Sequence, residues 1–280
     1  MSSILLKLSK VTAAVVLFAF LIFLGLRVGQ TRLMFFPSRY LKATPETVNL
    51  DYQSLWIPVK NQQLYGWFIP AQNSDAPVIL YFNGNASNIG DVVNKAARFH
   101  EWGWSVILVD YRGYGKSSPP FPNETRVYRD AEATWQYLTE TLEIDPAKIV
   151  IYGWSIGGAV AIDLAAKHPE AGALIVEASF TSMKDMTDYK FKTISPLLRL
   201  ALTQEFDSLQ KVDRLEIPVL YLCGTQDSVV PPEMTQQLYA ASPQPKELLV
   251  IPNATHTSIS REDETLYRET VRSFVRQWVP

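Results

Sequence analysis

Cysteine, histidine and excess charge are all scarce in this sequence. Among its 280 residues there is one cysteine, Cys223, and there are three histidines. A single cysteine excludes an intramolecular disulfide framework and a zinc site built from several cysteines. The 26 lysine and arginine residues nearly balance the 28 aspartate and glutamate residues, and they form no basic run. We therefore expect no nucleic-acid partner. A hydrophobic fraction of 47% predicts a globular rather than a disordered chain.

One long hydrophobic run lies near the N-terminus. Residues 11–26 are uncharged and strongly apolar, and with Val28 and Gly29 the run approaches the ~17–20 residues that span a bilayer. The following residues offer no small-residue cleavage site of the kind found after secretory signal peptides, which favours an uncleaved anchor. We predict a single-pass membrane anchor over residues 1–34. Basic residues flank both ends of the run, so the positive-inside rule leaves the side of the membrane open.

Beyond residue 35, apolar strand-like segments alternate with amphipathic helical segments. Strands are predicted at 48–59, 64–69, 78–82, 105–109, 149–154, 173–176, 219–223 and 248–251. Helices are predicted at 89–102, 126–142, 156–168, 231–241 and 262–278. This alternation predicts an α/β fold with a mostly parallel eight-stranded sheet flanked by helices. Residues 180–215 are too many for an ordinary connection, and we predict that they form a small helical cap within one domain of residues 35–280.

A serine stands where a predicted strand turns directly into a helix. Ser155 is flanked at two residues' distance by Gly153 and Gly157. So sharp a turn forces its apex residue into an unfavourable backbone conformation, and the glycines remove Cβ atoms that would collide across it. The hydroxyl then stands beside the free N–H groups that begin the helix. The pattern is typical of a nucleophile elbow, with an N-capping serine on an ordinary turn as the alternative.

A serine nucleophile needs a base, and the base needs an acid that orients it. Only one of the histidines, His256, lies in a polar loop after a predicted strand, since the other two lie in helical segments. Asp227 follows the preceding predicted strand, which gives the chain order Ser155, Asp227, His256 expected of an α/β-hydrolase. Glu177, at the end of another predicted strand, is the alternative acid. Asp110 is interpreted as structural.

Two further sites are predicted around this serine. The oxyanion of a tetrahedral intermediate needs N–H donors, and we assign those of Ile156 and Asn85. Asn85 lies in the loop after residues 78–82, where Gly84 permits a close backbone approach, and a simple turn is the alternative. In the cap, Leu197, Leu198, Leu200 and Leu202 are predicted to line an acyl site, with packing of the cap on the sheet as the alternative.

Six motifs occur in the order and spacing of the α/β-hydrolase superfamily: NGNASNIG, DYRGYGKS, GWSIGG, EASFTS, GTQDSVVP and NATH. The chain resembles that superfamily over roughly residues 35–280. It is most similar to the membrane-tethered serine-hydrolase branch, which includes esterase-like and acyl-protein-thioesterase-like members. The resemblance implies the α/β-hydrolase fold, a triad of Ser155, Asp227 and His256, and an oxyanion hole formed by Asn85 and Ile156.

The predicted function is a membrane-anchored serine hydrolase that cleaves carboxylic esters or thioesters, including lipid-borne ones, through an acyl-enzyme on Ser155. Such chemistry needs neither a metal nor an organic cofactor. An aminopeptidase-like serine hydrolase and a non-catalytic binding protein of the same fold are the alternatives. The anchor supplies no predicted catalytic group, so an active soluble domain is expected without it. The family usually has a histidine where this chain has Asn83, which leaves the hydrogen bonding of the oxyanion loop open.

Overall fold

A mostly parallel sheet of eight strands runs through the protein. The computed structural model describes residues 2–280. The strands are β1 (Gln53–Val59), β2 (Gln62–Ile69), β3 (Val78–Phe82), β4 (Ser105–Val109), β5 (Ile149–Trp154), β6 (Ala173–Glu177), β7 (Val219–Gly224) and β8 (Lys246–Ile251). Their order is β1-β2-β4-β3-β5-β6-β7-β8. Strands β1 and β2 pair antiparallel with each other, and β2 pairs antiparallel with β4, whereas the remaining neighbours are parallel. The predicted sheet is confirmed.

Helices cover both faces of the sheet. They are α1 (Ser2–Met34), α2 (Val93–Glu101), α3 (Glu124–Gln136), α4 (Ile156–Ala165), α5 (Met183–Phe191), α6 (Ser195–Ala201), α7 (Pro232–Ala241), α8 (Ile259–Glu262) and α9 (Glu264–Trp278). A π-helical turn at Tyr137–Thr141 extends α3. Because side chains alternate along a strand, Leu80 and Phe82 of β3 join the core under α3, α4 and α7, whereas Ile79 and Tyr81 join the core under α2 and α9.

Two predicted elements begin later than expected, and each has a local cause. Pro45 opens a 3₁₀ turn that ends at Asn49 with φ 58°, so β1 starts only at Gln53. The helix expected from residue 89 is preceded by a separate 3₁₀ turn, Ile89–Asp91, which is held by a capping box on Asn88. Neither change alters the order of the strands in the sheet, and the second lengthens the connection between β3 and α2.

The N-terminal helix and the cap lie at the carboxyl ends of the parallel strands. Residues Lys7–Met34 of α1 have a mean hydropathy of 2.5 over their most apolar window, none of which is buried, so the helix is long and apolar enough to cross a membrane. Signal sequences share those properties. Helices α5 and α6 lie between β6 and β7, within the segment predicted as a cap. The division into an anchor of residues 1–34 and a domain of residues 35–280 stays a prediction.

Candidate active site

The turn between β5 and α4 has the sharpness that the sequence predicts. Ser155 lies at its apex with φ 58° and ψ −122°, in a left-handed region that costs a non-glycine residue about 1–3 kcal/mol. A Cβ atom on Gly153 would lie 2.1 Å from the carbonyl oxygen of Gly157. A Cβ atom on Gly157 would lie 2.2 Å from the carbonyl oxygen of Phe82. Both glycines are therefore required by the close packing of this turn.

A buried pair of a histidine and an aspartate lies on the loops that follow the last two strands, β7 and β8. His256 follows β8, Asp227 follows β7, and His256 Nδ1 lies 2.7 Å from Asp227 Oδ2. The other carboxylate oxygen, Oδ1, accepts the N–H groups of Val229 and Val230, each at 2.9 Å. Because a carboxylate only accepts hydrogen bonds, His256 Nδ1 carries the proton and Nε2 is the acceptor. That tautomer is the one required of a general base acting on a serine.

Trp154 joins the loops around Ser155, and sequence reasoning missed it. Its indole N–H donates to the carbonyl oxygen of His256 at 3.1 Å, and the two rings lie 5.3 Å apart. A Cβ atom on Gly84 would lie 2.9 Å from the indole, so the oxyanion loop packs on the same ring. Within residues 2–280 the Ser155 hydroxyl makes no hydrogen bond with His256. The indole is therefore the contact that links the elbow to the histidine loop. A bulky aromatic next to the elbow serine is its only sequence signal.

The predicted oxyanion residues flank the serine. Asn85 and Ile156 line the same cavity as Ser155. The Asn85 side chain donates from Nδ2 to the carbonyl oxygen of Met34 at 2.5 Å. The backbone carbonyl oxygen of Asn85 accepts from the Tyr114 hydroxyl, also at 2.5 Å. These bonds fix the loop while leaving the backbone N–H of Asn85 available for a substrate oxygen.

Asn83, the residue before Gly84 in the loop after β3, is fully buried. Neither its side-chain oxygen nor its side-chain nitrogen has a hydrogen-bond partner within residues 2–280. Its backbone carbonyl oxygen accepts from the Tyr111 hydroxyl at 3.3 Å. The loop is thus held through its backbone and through Asn85 rather than through the side chain at this position.

A cavity of about 650 Å³ opens beside the serine and is mostly apolar. Leu198 and Leu202 of the cap both line it, as does Ile156. Part of the wall comes from α1, which sequence reasoning treated only as an anchor, and from Phe36 just after it. These residues are Leu26, Gln30, Leu33, Met34 and Phe36. The cavity brings Ser155, both predicted oxyanion residues and two of the predicted acyl-site leucines together. The other two, Leu197 and Leu200, do not line it and are exposed.

The two remaining candidate acids lie elsewhere. Glu177 accepts from Lys95 Nζ at 2.5 Å and from the Tyr152 hydroxyl, so its carboxylate is already paired. Burial lowers the pKa of Lys95, an effect that the charge of Glu177 opposes. Asp110 Oδ1 accepts the N–H of Ile89 at 2.9 Å, and burial raises the pKa of this carboxyl to about 8. These contacts are structural, and Asp227 is the acid beside the histidine.

Comparison with known proteins places this site in a family. The model of the prolyl oligopeptidase family matches residues 92–279, about two thirds of the chain. The chain belongs to the prolyl oligopeptidase family. The match to that family includes Ser155, Asp227 and His256, whereas Asn85 and α1 lie before it. The triad candidates are therefore within the segment that the prolyl oligopeptidase family shares.

Relatives match over almost the whole chain. An uncharacterized Mycobacterium tuberculosis protein is 32% identical over 250 residues, which are 89% of this chain and 88% of that protein. Protein bem46 of Schizosaccharomyces pombe is 29% identical over 290 residues, which are 99% of this chain and 96% of that protein. The α/β-hydrolase domain-containing protein WAV2 of Arabidopsis thaliana is 29% identical over 274 residues, which cover 90% of this chain and 89% of that protein.

Solved structures share the fold. The Pyrococcus furiosus esterase Pf2001 superimposes with a TM-score of 0.73 at 20% identity, covering 88% of this chain and 99% of its own. The α/β-hydrolase fold predicted from the sequence is confirmed. At that level of identity the likeness concerns architecture alone.

Proposed function

We propose that this member of the prolyl oligopeptidase family is a membrane-anchored serine hydrolase that cleaves carboxylic esters or thioesters. The observation that supports it most is the 2.7 Å pair of His256 and Asp227 on the loops next to Ser155. Ser155 Oγ attacks the carbonyl carbon while its proton passes to His256 Nε2. The N–H groups of Asn85 and Ile156 stabilise the negative charge that develops on the carbonyl oxygen.

The remaining steps use the same groups. The tetrahedral intermediate breaks its bond to the leaving alcohol or thiol, which takes the proton from His256. An acyl group is then bound to Ser155 Oγ. Water attacks this acyl-enzyme with His256 again as base, and the carboxylic acid leaves as Ser155 recovers its proton. Asp227 keeps the proton of His256 on Nδ1 and stabilises the imidazolium that forms in each half of the reaction.

The composition of the cavity favours an apolar acyl group over a peptide with a free amine. Among the described residues that line it, Lys190 is the one with a charge, and none is acidic. A charged amine brought into an apolar cavity needs a carboxylate partner to offset its lost hydration. An alkyl chain needs none, and each buried methylene contributes up to ~0.8 kcal/mol, or about fourfold in kcat/KM. We therefore expect kcat/KM to rise with acyl length until the cavity is full.

A fluorophosphonate probe and a substrate panel test this proposal. The probe is expected to label the full-length protein but not Ser155→Ala, and His256→Ala is expected to lose ester turnover. His100→Ala is a matched control, because the His100 ring is hydrogen-bonded to the carbonyl of Pro70, just after β2, and does not line the cavity beside Ser155. Acetyl, butyryl, octanoyl and palmitoyl esters and thioesters are compared with short peptides. Cleavage of peptides alone would support the aminopeptidase-like alternative, and absence of both labelling and turnover would support a binding protein.

A further inference from the structure

Helix α1 is exposed along its first half, and one face of its second half forms a wall of the cavity. The apolar residues in the first half of the helix are exposed, among them Val16 and Phe20. Further along, Leu26, Gln30 and Met34 recur every fourth residue and line the cavity. Residues at that spacing lie on one face of a helix. The helix therefore has a free apolar part and a docked part, and Leu26 begins the wall of the cavity.

Hydrogen bonds fix the docked part at both ends of the cavity. The buried Gln30 amide donates to the carbonyl oxygen of Ala201 at 3.0 Å and accepts the N–H of Thr203 at 2.8 Å, which joins α1 to the end of α6. The carbonyl oxygen of Met34 accepts from Asn85 in the oxyanion loop. From Leu26 to Met34 the helix rises about 12 Å at 1.5 Å per residue. The cavity thus extends along α1 from the predicted oxyanion hole towards the free part of the helix.

The outer end of the cavity coincides with the expected surface of a bilayer. A helix crosses the hydrocarbon core with roughly 20 residues. The apolar part of α1 is bounded by Lys7 and Lys10 on one side and by Arg27 on the other. If this part spans the core, Arg27 lies at the interface, and Leu26 of the cavity wall is its neighbour in the same turn. The mouth of the cavity then lies at the level of the lipid headgroups.

The rim of the cavity is apolar and exposed. Leu33, Phe36, Phe191 and Ile194 line the cavity although at least half of each side chain is accessible to solvent. Two further leucines of α6 do not line it and are 69% and 67% exposed. They are Leu197 and Leu200. We call these six side chains the cap surface. Exposed apolar side chains gathered at the rim of one cavity and on the adjoining helix are typical of an interaction surface.

Positive charges accompany the cap surface. Lys190 and Lys192 lie at the end of α5 and just after it, whereas Arg199 of α6 is paired with Asp188 at 3.1 Å. Long lysine side chains place their charge at lipid headgroups while their stems cover apolar area. An apolar group bordered by lysines is the composition of segments that lie in a membrane interface. Since α1 leads directly from this surface into its apolar part, the same bilayer is within reach of both.

We propose that the cap surface docks on the bilayer that α1 spans, so that the cavity opens towards lipid and takes the acyl chain of a lipid-borne ester directly from the membrane. The substrate class rests on the proposed function, whereas the docking does not depend on catalysis. A lipid ester would move its acyl chain along the wall formed by α1 until its carbonyl carbon reaches Ser155. The substrate would then never need to cross water.

The docking is tested without catalysis in the full-length protein. The variant Leu197→Cys is labelled with a fluorophore at the introduced cysteine, which is the accessible thiol because Cys223 is buried. The labelled protein is placed in vesicles whose phosphatidylcholine carries brominated acyl chains, which quench a fluorophore that enters the bilayer. Val16→Cys, on the free part of α1, is the positive control. Leu266→Cys, on α9 and 38% exposed, is the matched control away from the cap. We expect quenching at residues 197 and 16 and none at residue 266. Equal fluorescence at 197 with and without bromine overturns the proposal.

A second measurement separates access from chemistry. In the double variant Leu197→Glu, Leu200→Glu, hydrolysis of a bilayer-borne ester is expected to fall at least ~10-fold, because burying one leucine side chain contributes more than one tenfold change in affinity. Turnover of a soluble butyryl ester is expected to stay unchanged, and Leu266→Glu is expected to affect neither. Equal loss on both substrates, or loss on neither, overturns the proposal. A wild type that cleaves neither ester contradicts the proposed function instead, and the quenching experiment still tests the docking.

Discussion

Asp227→Asn is the substitution whose effect the structure determines most closely. Asp227 Oδ1 accepts two backbone N–H groups, those of Val229 and Val230, while Oδ2 accepts from His256 Nδ1. Asparagine has one side-chain oxygen, and the two N–H groups require it at the position of Oδ1. The NH₂ group then faces His256, so Nδ1 must accept a hydrogen bond and the ring proton must move to Nε2.

A histidine with its proton on Nε2 is unable to take the proton of Ser155. We therefore expect kcat for a butyryl ester to fall by roughly 10⁴. The free energy of unfolding should change by less than about 1 kcal/mol, because every hydrogen bond keeps a donor and an acceptor. Asp227→Ala provides the contrast. It leaves two backbone N–H groups unpaired, so it should lose activity and also about 1–3 kcal/mol of stability. Steady-state kinetics and denaturant unfolding measure the two effects.

Glu177→Gln is the matched control, because Glu177 is the alternative acid and its carboxylate is paired with Lys95 rather than with the histidine. It should lower stability while kcat stays within a few-fold of the wild type. Retention of more than about a tenth of wild-type kcat by Asp227→Asn would refute the assignment of the acid. A loss in Glu177→Gln as large as that in Asp227→Asn would refute it too.

Three further predictions concern the surroundings of the site. Lys95→Met leaves the buried carboxylate of Glu177 without a positive partner, while the Tyr152 hydroxyl still donates to it. The free energy of unfolding should fall by about 3–5 kcal/mol in denaturant titrations, and a loss below about 1 kcal/mol would contradict the importance of this ion pair. Burial raises the pKa of Asp110 from 3.8 to about 8, so between those values the folded protein holds a proton that the unfolded chain has released. The free energy of unfolding should then fall as pH rises through that window by up to ~1.4 kcal/mol per unit. In Asp110→Asn that fall should be smaller, and an identical pH dependence in the variant would show that another group is responsible. Trp154→Phe keeps a ring beside His256 but removes the indole N–H, and should lower kcat about 2–10-fold with little change in KM. An unchanged kcat would mean that this hydrogen bond does not position the histidine.

The elements of the fold were predictable because they depend on local pattern. β3 and β5 consist of consecutive buried residues, which is the pattern of a strand covered on both faces, and both strands lie where predicted. Ser155 and its two glycines identified the elbow because that turn is specified within five residues. The histidine and the aspartate were found because each follows a predicted strand directly.

What the sequence did not predict depends on contacts between distant segments. Every buried strand is similarly apolar, so composition does not specify that β4 lies between β2 and β3. Gln30 contacts Ala201, 171 residues away, and nothing in an apolar N-terminal run distinguishes a helix that only anchors from one that also forms a wall. For the same reason, the paired state of Glu177 with Lys95 emerged only from the structure.

The backbone conformation of Ser155 lowers the stability of the fold while it places a hydroxyl group at the apex of the turn. A position with φ 58° suits glycine, which would adopt it without strain and would keep the turn intact. Selection for a stable fold alone would therefore favour glycine at residue 155, and the chain instead has a residue that is disfavoured there by about 1–3 kcal/mol. The hydroxyl group is what this residue adds over glycine. Under the proposed function, the presence of this hydroxyl at a disfavoured backbone position means that the chain gives up stability for catalysis.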